Sequence, residues 1–379
     1  MTHYTGINTY RAARRKLVAL LLLLLIILAY VYSASRPDLV EEKYSRGVYP
    51  AIASFWGGVT SAISFSIAEI LVYAAVLAVI VRIVRSFVRA FRERTAAGKA
   101  FYLLDLLLSG ALAFAAVCAL FILLWGFNYN RLPFSETSGL NAAPAPVRVL
   151  EQSCLLLVEQ ANELREDVRE DADGVMALSV PMRNTLGRAR EGFRVAAAEF
   201  ETLGSVEPGK PKPVLASVLL SYAGITGVYF PITAEANINT DITGAETPFT
   251  ICHELAHQLG YAREDEANFI AWVACANSPY EDYRYSGAVM ALLNLLKALN
   301  GRDAAAWGRI RGMCSPAVNR DLNSMGQYWQ SFEGPVSDIS ETINDTFLKA
   351  NRQEDGVQSY GRMVDLVIAY LRANGLSAA

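Results

Sequence analysis

Histidine is almost missing from this chain. Three occur in 379 residues, and one of them, His3, lies in the extreme N-terminal tail. The other two, His253 and His257, stand four residues apart, so chemistry that needs imidazole has one place to happen. Cysteine is scarce too: five residues, with no C-x-x-C pair, which excludes a disulfide framework as the organising device. Positive charge is thin where a nucleic-acid footprint would need it. Up to Asn128 there are 13 Lys/Arg against 6 Asp/Glu, but beyond it 21 against 31, so the larger part of the chain is acidic and no nucleic acid is expected as a partner.

Apolar residues, by contrast, make up 53% of the sequence, high for a soluble protein. They gather in three runs near the N-terminus. After a basic patch (Arg11, Arg14, Arg15, Lys16), Leu17 to Tyr32 carries no charge. Ser33-Ala34-Ser35 offers a cleavage site, but two further runs follow, and a retained membrane helix uses all three. Spans are expected at about 17–34, 62–82 and 101–127, with residues 51–60 as an interfacial lead-in. Basic residues precede the first span and fill the gap between the second and third, from Arg82 to Lys99, which places both segments in the cytoplasm. Three spans then leave everything after Phe127 outside. Glu69 falls inside the second span, where a polar contact within the bundle is the plain reading.

Residues 128–146 read as a polar, proline-containing exit linker, and 147–379 as the main domain. Helical periodicity covers Val147 to about Glu170 and Ser179 to Leu203. From Gly224 to Asn239 the pattern changes: Val228, Phe230 and Ile232 alternate with Tyr229, Pro231 and Thr233, a strand that Pro231 pushes to a sheet edge. Such an edge could pair with an extended peptide, with Glu235, Asn237 and Asn239 as candidate contacts, or simply pack the next helix.

That next helix carries the main signal. Thr247-Pro248 marks its start, with Thr247 as cap, and Gly260 its stop. Between them His253, Glu254 and His257 spell H-E-x-x-H. Residues four apart share a helix face, so both imidazoles can reach one metal ion, and Glu254 sits beside them to work on a metal-bound water. A catalytic zinc takes three protein ligands and keeps one position open. Without a third histidine the remaining ligand is Asp or Glu. A second helix over Glu264 to Ala276 offers Glu264, Asp265 and Glu266. Glu264 shares its face with the short residues Asn268, Ala271 and Cys275, so it is the choice. Glu266 sides with Ile270 and Val273 and suits packing. Asn268, one turn on, could orient a ligating imidazole. An oxyanion donor would have to be Tyr or Arg: Tyr360 and Arg362 are candidates, with Tyr261 and Tyr285 competing.

Glu264 to Asn268, E-x-x-A-N after H-E-x-x-H, resembles the glutamate-ligand zincin peptidases, although the spacing from His257 is shorter than in their best-known members. Four stretches, WGFNYNRLPF, SYAGITGVYFPITAEANIN, PFTICHELAHQLGYAREDEANFIA and TFLKANRQEDGVQSYGRMVDL, make the chain similar to a bacterial multi-span membrane family known only as a domain of unknown function with a zinc-peptidase motif. The expected architecture is mainly α: three transmembrane helices, then a zincin-like α+β extracytoplasmic domain with a small sheet. The resemblance implies one Zn2+ per chain, held by His253, His257 and Glu264, with Glu254 as general base. The substrate is then a peptide or protein near the lipid bilayer of the bacterial cytoplasmic membrane. The alternative is a membrane sensor or scaffold that uses the same fold without turnover.

Overall fold

The computed structural model describes residues 2–351, 353 and 360–375, with side chains from Val18 onward except those of Tyr360 and Gly361. Among these residues the chain is mainly helical with one three-stranded sheet.

The N-terminal part consists of α1 (Thr2–Ser33), a broken helical segment α2 (Pro37–Ser61), α3 (Ile67–Arg92) and α4 (Ala96–Leu124). Helices α3 and α4 are long and apolar enough to cross a membrane. The second half of α1 together with α2, bent by 111° between them, makes a third if the pair counts as one span. The second span starts later than expected, at Ile67, because its first turn is capped there. Ser66 Oγ accepts the Glu69 N–H at 2.9 Å, and the Glu235 carboxylate accepts those of Ile67 (3.1 Å) and Ala68 (2.7 Å). It also runs on through Arg82, Arg85 and Arg89. Residues 51–60, expected as a lead-in, are helical within α2. Glu69 accepts from the Tyr73 hydroxyl one turn on in α3, but its contacts are not confined to the helices. Its carboxylate accepts the N–H groups of Leu215 (2.9 Å) and Ala216 (2.8 Å), tying α3 to the following domain.

α4 packs on both α1 and α3. Asn130, just past α4, donates to the Tyr30 carbonyl near the end of α1, so the end of α1, the start of α3 and the end of α4 meet the domain together. The turn between α3 and α4 lies at the opposite end.

The rest of the chain builds one core. Helices α5 (Val147–Leu164) and α6 (Met182–Glu199) lead to β1 (Lys212–Pro213), α7 (Ser217–Tyr222), β2 (Gly227–Phe230) and β3 (Glu235–Ile238). Then come α8 (Thr247–Gln258), α9 (Glu264–Ala276), α10 (Glu281–Arg302), α11 (Ala304–Arg311), α12 (Pro316–Gln330), α13 (Pro335–Ala350) and α14 (Tyr360–Ala373). The segment expected as one edge strand is a hairpin: β2 pairs antiparallel with β3, and the sheet order is β1-β3-β2. Pro231 begins the turn, and Ala234 completes it at φ 51°, a left-handed conformation with no glycine to announce it. α8, α9 and α10 pack on one another, and α10 packs on α5.

The expected exit linker 128–146 begins inside this core. Asn128, Tyr129, Asn130, Arg131 and Phe134 are all buried. Arg131 explains why. Its guanidinium forms a two-pronged pair with Glu41 of α2 at 2.8 Å, donates to the Gly260 carbonyl at 3.0 Å, and lies over the Tyr261 ring.

Candidate metal centre

α8 is fixed at both ends. Pro248 sits in its first turn, where a missing N–H costs nothing. The helix starts one residue earlier than expected: Glu246 precedes it, and the Thr247 hydroxyl donates to the Thr243 carbonyl instead of capping. Gly260 ends it at φ 90°, as expected, and a Cβ there would press on the Tyr49 ring at 2.8 Å. At the C-terminal end Gln258 accepts the Gly209 N–H and donates to the Ala234 carbonyl, locking the helix to the sheet. α9 then starts at Glu264, bringing a carboxylate back over the histidines.

The result is one group of three possible ligands among the described residues: His253, His257 and Glu264, whose ligand atoms all lie within 4.8 Å of one another. Glu264 Oε2 is 3.2 Å from His253 Nε2 and Oε1 is 3.5 Å from His257 Nε2. Ligands 2.0–2.1 Å from a tetrahedral ion are about 3.3 Å apart, and each imidazole lies near that distance from one Glu264 oxygen. His257 Nδ1 lies 2.7 Å from the Tyr261 carbonyl, which fixes its proton on Nδ1 and leaves Nε2 as the ligand. Buried His253 Nδ1 has no partner among the described residues. The side chains of His253 and Glu264 are 14% and 30% exposed, so the cluster is reachable from outside.

Glu254 is buried and backed by β2. The Tyr229 N–H donates to it, and a Cβ on Gly227 would lie 2.7 Å from its Cγ. Only glycine allows β2 to come this close. Burial pushes the Glu254 carboxyl above the usual carboxylate range, against the pull of the two imidazoles. At Glu264 burial acts the same way, but His257 and His253 outweigh it and hold the carboxyl well below that range. Burial would lower the His257 imidazolium, yet Glu264 carries it up to about 9.

The other expected residues are placed elsewhere. Glu266 accepts the Phe134 N–H at 2.8 Å and pairs with Arg263, a structural role. Asn268 is buried but orients neither imidazole, since the Tyr261 backbone holds His257. Arg362 is bonded to Asp265 at 2.7 Å, and the Tyr360 side chain lies outside the described residues. The Tyr285 hydroxyl donates to buried Asp321, and the Tyr261 ring is buried under Arg131. Glu235, Asn237 and Asn239 do not face a substrate. Glu235 caps α3, Asn237 accepts from Ser66, Asn239 donates to Ser221, and all three are buried on or beside the central strand. β2 is one of the sheet's two edge strands, and Val228 on it is exposed. Two surface clefts of about 690 and 480 Å³ contain no residue of the cluster.

Three neighbours of the cluster lie in the stretches quoted above, but spacing alone assigns them no role. Trp125 Nε1 donates to the His257 carbonyl at 3.0 Å and its ring meets the imidazole edge-on. Tyr129 is buried, and after burial itself the Glu264 charge is what raises its hydroxyl pKa most. Gly227 is the third.

Fold and site define a mainly helical protein with two or three helices of membrane-crossing length and a His–His–Glu cluster beside a small sheet. The chain belongs to the family described as "Protein of unknown function (DUF3810)", whose model matches residues 44–368. No curated protein and no solved structure matches it.

Proposed function

We propose that this chain is a membrane-anchored zinc metallopeptidase that hydrolyses peptide bonds on the outer side of the cytoplasmic membrane. The observation that carries this reading is the convergence of two imidazole nitrogens and one carboxylate within 4.8 Å, on helices fixed by Gly260 and Gln258. Two imidazoles and a carboxylate suit zinc, and three ligands leave a fourth position open. Zinc held by His253, His257 and Glu264 would supply a Lewis acid for a peptide carbonyl and for a water at the open position.

The chain's own residues account for the rest. Glu254 is free of a cationic partner that would neutralise it permanently, and its desolvated carboxylate is suited to take a proton from water and deliver it to the leaving amine. The Tyr261 carbonyl holds the His257 ring in one tautomer. Strand β2, beside Glu254, has no neighbouring strand on its outer side, which suits an extended peptide.

Elemental analysis of the full chain purified in detergent tests this. One zinc per chain is expected in wild type and none in His257→Ala. Glu254→Gln should keep the zinc and lose hydrolysis by about 10²–10⁴-fold. A wild type that holds no metal after zinc is added back would overturn the proposal.

A further inference from the structure

Helix α13 (Pro335–Ala350) is poorly covered by the rest of the molecule. Of its residues only Leu348 is buried. Val336, Ile339, Ile343 and Phe347 repeat at helical spacing along one face and are 57%, 61%, 64% and 41% exposed. The opposite face carries Asp338, Glu341, Asp345 and Lys349. A helix this short is marginal in water unless an apolar face is packed, so the bare stripe calls for an occupant.

Both ends of α13 are tied to the domain ends of the membrane-length helices. At the C-terminal end, Phe347 packs edge-to-face on Phe121 with centroids 5.8 Å apart, one turn before α4 ends at Leu124. At the N-terminal end, Phe332 packs on Tyr222 of α7 at 5.0 Å. The segment entering α7 is held in turn by Glu69, in the first turn of α3. α13, about 24 Å long, is therefore linked to the end of α4 directly and to the start of α3 by way of α7. Its stripe is continuous, through Phe121, with the exposed apolar surface of α4 at Val117 and Leu120.

We propose that α13 lies in the plane of the membrane surface, with Val336, Ile339, Ile343 and Phe347 seated in the outer leaflet at the boundary of headgroups and acyl chains. The occupant of the bare face is lipid, because the surface it continues is the one that faces lipid. The polar face holds three acids and one lysine, so the seating rests on apolar burial and needs no anionic headgroup. Beyond the helix, Asn351 accepts from the Tyr30 hydroxyl at 2.8 Å and Gln353 accepts the Glu264 N–H at 3.3 Å. The chain thus passes directly from the lipid surface to the backbone of a cluster residue.

Spin labels on the full chain in phosphatidylcholine nanodiscs test this, in a Cys118→Ser background because the other four cysteines are buried. Labels go on Ile339→Cys and Ile343→Cys for the stripe, and on Asp338→Cys and Glu341→Cys for the opposite face. The ratio of collisions with oxygen to collisions with a water-soluble nickel chelate should be several-fold higher on the stripe, and unchanged when phosphatidylglycerol is added. Equal nickel access on both faces overturns the proposal. So does exclusion of both reagents with dipolar broadening at 339 and 343, which would mean that a second copy covers the stripe. An unlabelled measurement stands beside it: amide exchange over 335–350 should accelerate in Ile339→Asp/Ile343→Asp while 247–276 stays protected. Unchanged protection at 335–350 would overturn the proposal as well.

Discussion

At the scale of single residues, Gly227 makes the sharpest claim. Its missing side chain is what lets β2 back the Glu254 carboxylate, since an added Cβ would sit 2.7 Å from Cγ and 2.8 Å from Oε1. Gly227→Ala should therefore push Glu254 aside while leaving His253, His257 and Glu264 in place. Zinc content is expected to hold, stability to fall by about 1–3 kcal/mol from overpacking, and hydrolysis to drop about 100-fold from misplacement of the base. Metal analysis, thermal unfolding and peptide turnover read the three effects separately. Full turnover in that variant would remove Glu254 from the role assigned to it. The clustering of His253 and His257 was legible in the sequence because they stand one helix turn apart, and that of Glu264 because the short residues on its face advertise a close helix pair. Gly227, Trp125 and the Tyr261 carbonyl were not legible. A backbone carbonyl has no residue signature, and Trp125 reaches His257 across 132 positions of chain.

At the scale of elements, the joint between α2 and the end of α8 rests on a buried ion pair. Arg131 and Glu41 are 4% and 6% exposed, and the same guanidinium holds the Gly260 carbonyl. Removing one member of a buried pair strands the other charge, so Glu41→Ala should cost about 3–5 kcal/mol. The double variant Glu41→Ala/Arg131→Met should recover part of that, because no unpaired charge remains. Thermal unfolding in detergent checks both. A single variant no worse than the double would mean that the pair is not desolvated as described. The helices themselves were largely readable from apolar spacing, and α9 begins and ends where its sequence places it, at Glu264 and Ala276. The hairpin was not readable. A turn that relies on Ala234 at positive φ carries no Gly, Asn or Asp signal, so two strands read as one: the edge reading holds for β2, while the candidate contacts Glu235, Asn237 and Asn239 fall on or just past the central strand β3.

At the scale of the whole molecule, the distribution of charge supports the orientation proposed above. The domain meets one end of the membrane-length helices, and Arg85, Arg89, Arg92, Arg94 and Lys99 cluster near the other, about the α3–α4 turn. From Ile67 to Arg85 the helix rises about 27 Å, close to the ~30 Å hydrocarbon core, so the first fully exposed arginine falls near the far headgroups. Arg82, one turn deeper, is neutralised by Asp105 of α4 at 2.5 Å, which lowers the cost of placing it within the apolar layer. In the proposed orientation the basic segments stay on the cytoplasmic side, as such segments generally do, and the acidic domain lies outside. In intact spheroplasts of a bacterial host, a membrane-impermeant maleimide should label Asp173→Cys and spare Ala97→Cys, both made in the Cys118→Ser background. In inverted vesicles the pattern should reverse. Labelling of Ala97→Cys from outside would place the domain in the cytoplasm. The metal cluster would then face cytoplasmic peptides, even with its geometry unchanged.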